Sequence, residues 1–396
     1  MKTSKHYLLF FIFFVTLISC SDSDDGQPAI QKLESATEVF PRSKTEIESL
    51  VDLAGLSDLK QYLEYDISIY EITYKTTFKG EEIIASGLLT FPETDQAVPM
   101  MSFQHGTMVG HDEAPTQDKS TYTFLSSVAS AGYILLIPDF IGFGSSDNIL
   151  HPYYHKESTA NSVTDMLIAA KELAVQEGYS FNGDVFLSGY SEGGYATMAA
   201  HQSLEENPID GLNLVASAPS SGGYDVKGMQ EYFFSLTTYD QPFYLAFVAL
   251  SYESVYDWTI SLSDLFQEPY ATALPGYFDG SLNGSQINDR LTTTVSDFLS
   301  PDFLSGVDTE NKYAELVDAF EENSLDNWVP TVRMFMYHGT DDITVPYQNS
   351  VDSYNKMKSL GASSEIVSFT DLEGHTHGSG FFPYLYDCLD NFDKLK

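Results

Sequence analysis

From about residue 66 onward, short apolar runs alternate with longer stretches in which apolar residues recur at helical spacing. Residues 68–78 ("SIYEITYKTTF") and 81–91 ("EEIIASGLLTF") predict an opening hairpin or meander. "PMMSFQHG", "YILLIPDF", "DVFLSGYS" and "LNLVASAPS" are compact apolar runs, each ending in the polar or glycine-rich residues of a loop. Between the second and third of these, Val163, Leu167, Ala170 and Ala174 repeat at helical spacing, and Gly178 is the expected stop. After residue 222 the rhythm breaks for about a hundred residues. It resumes with a strand ("VRMFMYHG"), a helix ("NSVDSYNKMKSLG"), a further strand ("SEIVSFT") and a final helix. Strands alternating with helices in this way predict an α/β fold with a mostly parallel sheet, covered by helices on both faces.

One of these strands ends in an unusual way. Val185, Phe186 and Leu187 read as a strand buried on both faces, and Ala196, Met198, Ala199 and Ala200 favour a helix. Ser191 falls at the corner between them, flanked two residues away by Gly189 and Gly193. So sharp a turn forces its central residue into a sparsely populated backbone conformation, and glycines give the room it needs. Gly-x-Ser-x-Gly alone is a weak signal, since average residue usage gives about one chance match in five chains of this length. Its place between strand and helix strengthens it.

A serine hydroxyl becomes a good nucleophile when a neutral imidazole takes its proton and a carboxylate holds that imidazole. Backbone N–H donors must also await the developing oxyanion. The chain offers candidates for each part. "FQHGT" ends a strand, and Gly106 lets the backbone approach closely, so that its own N–H or that of Thr107 can point inward. The N–H of Glu192, directly after the serine, is the second donor. Asp341 and Asp342 both lie in the loop after Val332–Tyr337, at the strand end where sites of open sheets form. His375 and His377 both follow the last strand, separated by Thr376. Two histidines two apart, with nothing nearby to complete a zinc site, predict neither a metal nor another cofactor.

With these stretches in hand, the chain resembles the α/β-hydrolases, close to the esterases and lipases of the secretory lipase group and their Bacteroidetes lipoprotein relatives. "FQHGT", "PDFIGFGSSD", "HPYYHKESTANSVTDM", "GYSEGGYAT", "HGTDDITVP" and "HTHGSGFFP" carry the likeness over residues 101–383. The resemblance implies an α/β-hydrolase fold with chain order oxyanion loop, serine, acid, histidine. His-Gly-x-x-Asp followed by Val-Pro aligns Asp342 with the acid and leaves Asp341 to cap the loop. Members often have glycine after the base and a proline opening the last helix, which favours His377, with Gly378 and Pro383, over His375 as the alternative base. The implied catalytic set is Ser191, Asp342 and His377. In "DFIGFGSS", Asp139 and the glycines are expected to shape a loop, and His151 and Tyr153 to serve structure or to border the pocket.

Domain limits follow from the same reading: a core over 46–222 and 331–396, and a cap inserted over 223–330. The cap is rich in aromatics, among them Tyr232, Phe233, Phe234, Phe243, Tyr244, Phe247, Tyr252, Tyr256 and Trp258. Most should fill its own core, with a minority lining an acyl cleft.

The N-terminus changes the picture of location. Lys2 and Lys5 precede an apolar run from Leu8 to Ile18 that is too short for an ordinary membrane span. Leu17-Ile18-Ser19-Cys20 resembles the lipobox of bacterial lipoproteins, which implies a signal peptide over 1–19, lipidation at Cys20 and anchorage in the cell envelope as an outer-membrane lipoprotein. "SDSDDG" is similar to the acidic tether of surface-exposed Bacteroidetes lipoproteins, and residues 20–45 are expected to form a polar tether. Cys388 has no second cysteine left to pair with, so no disulfide is expected. With 57 acidic and 19 basic residues, a formal net charge of −38, the surface repels phosphate backbones, and nucleic acid is excluded as a partner.

The leading expectation is a carboxylic-ester hydrolase acting through an acyl-enzyme on Ser191, with a small-molecule or lipid ester as substrate. A serine peptidase of the prolyl-oligopeptidase kind shares the core. It usually carries a propeller of about 40–50 residues per blade, for which the few dozen residues before the first expected strand leave no room. A surface-tethered binding protein on an inactive hydrolase scaffold is the third possibility, and the full complement of site residues argues against it.

Overall fold

Among the described residues, the eight expected strands and one more join in a nine-stranded sheet in the order β1-β2-β3-β5-β4-β6-β7-β8-β9. The structure is a computed structural model and describes residues 31–396 apart from Asp257. The strands are β1 (Leu33–Arg42), β2 (Ile67–Phe78), β3 (Glu81–Pro92), β4 (Val98–Gln104), β5 (Ile134–Pro138), β6 (Phe181–Tyr190), β7 (Asn213–Ser220), β8 (Arg333–Gly339) and β9 (Val367–Leu372). β1 to β3 pair antiparallel, β3 meets β5 antiparallel, and every pair from β5 across to β9 is parallel. β4 and β5 are buried along their whole length, as strands covered on both faces must be. The C-terminal half of β2 alternates buried with half-buried residues, the period of an antiparallel strand with one wetter face.

Helices cross between the parallel strands. α1 (Lys44–Leu53) precedes β2, α2 (Lys119–Ser126) joins β4 to β5, α3 (Lys156–Glu177) joins β5 to β6, and α4 (Glu192–Glu206) joins β6 to β7. α3 stops where expected: Gly178 adopts φ 82°, and its N–H donates to the Ala174 carbonyl. On β2, the buried Tyr74 hydroxyl donates to the Ser162 carbonyl at 2.8 Å and ties the strand to α3.

The tether expected over residues 20–45 is corrected from Leu33 on. That stretch is an edge strand, paired with β2 from Leu33 opposite Tyr74 to Arg42 opposite Ile67. Only Leu33 of its ten residues is buried, so its polar sequence carries no core signature. Its hold is main-chain pairing, extended by Glu172, whose carboxylate accepts the Leu33 N–H at 2.7 Å. Ser43 then starts α1 with a capping box to Glu46. The signal peptide and Cys20 expected from the sequence lie outside the described residues. Among the described residues, no helix is long and apolar enough to cross a membrane.

Between β7 and β8 the chain leaves the sheet and builds a helical layer. α5 (Val226–Ser235) and α6 (Phe243–Val255) are its longer helices, followed by helices of four to nine residues ending with Ala314–Glu322. The irregular rhythm after residue 222 reflects the run of elements after α6, most of them helices of four to six residues, too short to show a helical period. Their buried aromatics pack on one another, with Phe266 and Phe298 at 4.9 Å and Phe303 and Tyr313 at 5.1 Å between ring centroids. Such pairs contribute about 0.5–1.5 kcal/mol each beyond the area they bury. The cluster is continuous with Met334 and Met336 on β8. One apolar interior thus joins this layer to the sheet.

Candidate active site

Ser191 stands between the last residue of β6 and the first of α4 with φ 63° and ψ −124°. A non-glycine residue there costs about 1–3 kcal/mol, so the surroundings must hold it. The Ser191 N–H donates to the Ser220 carbonyl at 2.9 Å, and the Ser191 carbonyl accepts from Gly194 at 2.8 Å. A Cβ on Gly189 would lie 2.2 Å from the Gly193 carbonyl oxygen, and one on Gly194 would lie 2.2 Å from that of Ser220. The glycines are there because three main-chain segments meet at this corner.

Two loops at the carboxyl ends of β8 and β9 converge on the serine. His377 lies between β9 and the last helix, Phe381–Asp393, with its carbonyl held by the Tyr190 hydroxyl at 2.7 Å. Its Nε2 is 2.9 Å from Ser191 Oγ, and its Nδ1 is 2.6 Å from Asp342 Oδ2. A carboxylate oxygen only accepts, so the Nδ1–H donates and the Nε2 lone pair faces the serine hydroxyl. Asp342 is buried, and its Oδ1 accepts the N–H groups of Thr344 at 2.9 Å and Val345 at 3.0 Å. Burial opposes its ionisation, but hydrogen bonds from His338 and His377 outweigh burial and hold the carboxyl at about 2. It is an anion at any physiological pH.

His375 is not brought to the serine. Its Nδ1 is 3.3 Å from Ser379 Oγ, and its carbonyl accepts the Asp341 N–H at 3.0 Å. That second bond ties the two loops together, and the exposed Asp341 takes part in it through its backbone.

Gly106 backs onto the nucleophile, where a Cβ would be 3.6 Å from Ser191 Cβ. Thr107 shares a hydrogen bond with the Tyr153 hydroxyl at 3.0 Å. Glu192 opens α4, where first-turn N–H groups have no intrahelical partner. Its carboxylate is buried and meets His151 Nε2 at 2.6 Å, while the other side of that ring, Nδ1, donates to the Ile141 carbonyl at 2.6 Å. No motif links these two partners, which lie 41 positions apart. His105 is also buried, which lowers its pKa from the ordinary value. Asp139 shapes a loop: its oxygens accept from Thr116 N–H at 2.9 Å, Thr116 Oγ1 at 2.6 Å and Ser86 Oγ at 2.6 Å.

Ser191 opens into an apolar chamber whose empty space, mouth included, is about 820 Å³. Tyr153 and Tyr154 contribute core wall, and Phe233, Phe234, Tyr244, Leu245, Val248, Phe266, Phe303 and Phe320 contribute cap wall. Of the cap aromatics, Phe243 and Phe247 do not line it. Phe243 packs beside Tyr244 at 4.0 Å, and Phe247 stacks on Tyr153 at 4.6 Å and meets Phe278 at a tilt at 5.1 Å. Among the described residues, no group of three metal-ligating side chains exists.

Sheet order and the serine corner are those of the α/β-hydrolase fold. The sequence profile of the Prolyl oligopeptidase family matches residues 119–207, which run from α2 through the Ser191 corner to the end of α4. No curated protein matches the chain. Among solved structures, a provisionally named hydrolase from Legionella pneumophila subsp. pneumophila is 27% identical with a TM-score of 0.84, covering 92% of this chain and 98% of its own. The ligand-bound rice cell wall degrading esterase LipA from Xanthomonas oryzae is 22% identical with a TM-score of 0.80, covering 93% and 100%. Candida antarctica lipase A is 17% identical with a TM-score of 0.65, covering 92% and 82%. The fold and likeness expected from the sequence hold.

Proposed function

We propose that the protein is a serine-dependent carboxylic-ester hydrolase whose acyl-enzyme forms on Ser191. One observation carries this reading: the hydrogen-bonded chain Ser191–His377–Asp342 stands at the mouth of an apolar chamber. His377 Nε2 takes the proton of Oγ as the oxygen attacks the ester carbonyl, and the imidazolium is stabilised by ionised Asp342. The N–H groups of Gly106 or Thr107 and of Glu192 receive the oxyanion. The imidazolium then protonates the departing alkoxide, leaving the acyl group on Ser191. Water, deprotonated by the same ring, releases the acid.

The chamber supports an apolar acyl group as the part of the substrate it holds. Its walls are almost wholly aliphatic and aromatic, with Gln230 and Thr344 as polar exceptions. A peptidase needs polar groups along the main chain of its substrate, so the walls favour an ester over a peptide. The esterase and lipase named above fit this choice, and the prolyl oligopeptidase match is met by the shared core around the serine. Stopped-flow assays with p-nitrophenyl esters of graded acyl length, set beside aminoacyl p-nitroanilides, test it. A burst of about one nitrophenolate per enzyme is expected with the esters. Faster turnover of the anilides would reverse the choice.

The sequence around Cys20 supports a lipid-anchored location in the cell envelope as part of this proposal. Cys20→Ala should release the protein from membrane fractions, since its acidic surface offers no polybasic help. An unmodified N-terminus on the mature wild-type protein would contradict it.

A further inference from the structure

We infer that His338 is a positioning residue that fixes the Asp342 carboxylate for His377, an inference that rests on the hydrolytic reading above. His338 is the penultimate residue of β8 and is fully buried, four residues before Asp342. Its Nε2 lies 3.1 Å from Asp342 Oδ2 and 3.0 Å from the Val345 carbonyl oxygen. Both neighbours only accept, so Nε2 carries the hydrogen and shares it between them. Its Nδ1 is then free to accept, and Ser350 Oγ, buried on the helix Tyr347–Leu360, donates to it at 2.6 Å.

A second serine–imidazole chain therefore reaches the same carboxylate oxygen that holds His377. Oδ1 takes two backbone N–H groups and Oδ2 takes two imidazole N–H groups, so the carboxylate has four donors and no free direction. Turning about the Cβ–Cγ bond would break several of these bonds at once. Through Val345, His338 also holds the turn that supplies one of the Oδ1 donors. A histidine kept only to fill space would need packing, such as its edge-on contact with Tyr347 at 5.9 Å, but no bond to the acid.

The distinction is testable because a glutamine amide can replace the Nε2–H donor and a leucine cannot. The full chain is prepared as wild type, Ser191→Ala, His338→Leu, His338→Gln and Ser350→Ala. Thermal melting gives the folded fraction, and p-nitrophenyl ester hydrolysis gives kcat and KM per folded enzyme. His338→Leu should lower kcat by about 10- to 100-fold with KM within about twofold, because a misaligned base slows the chemical step and leaves binding alone. His338→Gln should recover most of that loss, and Ser350→Ala should fall between. Leucine and glutamine variants with equal kcat, or a leucine variant within about twofold of wild type, would overturn the inference. Should the leucine variant fail to fold, a Ser350→Ala enzyme with wild-type kcat would overturn it instead. Hydrolysis by Ser191→Ala within about tenfold of wild type marks a failure of the ester-hydrolase reading itself. An inactive Ser191→Ala beside fully active His338 variants marks a failure of this inference alone.

Discussion

Gly193 turns its α-carbon onto the main-chain carbonyl of Gln104, so closely that a methyl there would lie 1.9 Å from the oxygen. Gln104 ends β4 and leads directly into His105, Gly106 and Thr107. The serine corner and the oxyanion strand are therefore set against each other by backbone contact, which has no side chain that can swing away. Overpacking such a contact costs about 1–3 kcal/mol, and the relief must come from shifting one of the two segments. Gly193→Ala is expected to lose at least that much stability and to lower kcat per folded enzyme. Gly178→Ala is the control: Gly178, unlike Gly193, has a positive φ, and it faces open space. Its cost should be confined to backbone strain of about 1 kcal/mol, with kcat unchanged. Denaturant unfolding and ester kinetics on both variants check the pair.

The chamber makes a prediction about chain length. Val248→Trp places bulk in its wall and should shorten the longest acyl group accepted, leaving p-nitrophenyl acetate turnover near wild type. Each excluded methylene forgoes about 0.8 kcal/mol, or about fourfold in kcat/KM. Phe243→Ala should leave the chain-length profile where it was, since Phe243 packs over Gly284 outside the chamber. A graded ester series on both variants reads this out.

Glu205 gives a prediction about stability without activity. At the C-terminal end of α4 its carboxylate accepts from Val332 N–H at 2.7 Å, Thr331 N–H at 2.9 Å, Thr331 Oγ1 at 2.9 Å and His201 Nε2 at 2.8 Å, which pins the entry of β8. Burial opposes its charge, but the bond from His201 and those from the backbone prevail and hold it at about 2, against an ordinary 4.5. A carboxyl whose folded value lies below its unfolded one stabilises the fold above about 4.5 and loses that contribution as pH falls toward 2. Glu205→Gln should therefore be less stable at pH 7 by on the order of 2–3 kcal/mol, a gap that closes through this window. Its kcat should match wild type. Urea unfolding at a series of pH values, wild type against variant, gives the difference curve.

The parts of this fold that the sequence declared are those built from periodic or sterically forced residues. β4, β5 and β6 were legible because burial on both faces demands unbroken apolar runs, and the serine corner because only glycine fits at Gly189 and Gly193. β1 was not, since its partner satisfies its backbone and its side chains meet water. Nor could the chamber wall be picked out: Phe233 and Phe243 are both cap aromatics, and only the packing of the cap helices decides which one lines the chamber. The two histidines around Thr376 could be ranked by resemblance alone, whereas the loop geometry separates them, with one side chain on Ser191 and the other on Ser379.

That separation allows the most direct test of the proposed chemistry. Ser191→Ala, His377→Ala and His375→Ala enzymes are mixed with one equivalent of a p-nitrophenyl ester, quenched within a single turnover and weighed by intact-mass spectrometry. Wild type and His375→Ala should each carry one acyl group, mapping to the peptide that contains Ser191. Ser191→Ala should carry none, and His377→Ala should acylate as slowly as Ser191→Ala turns over, on the order of 10⁶ below wild type. A His377→Ala enzyme that acylates at a near-normal rate while His375→Ala does not, or an acyl group on any residue other than Ser191, would contradict the account.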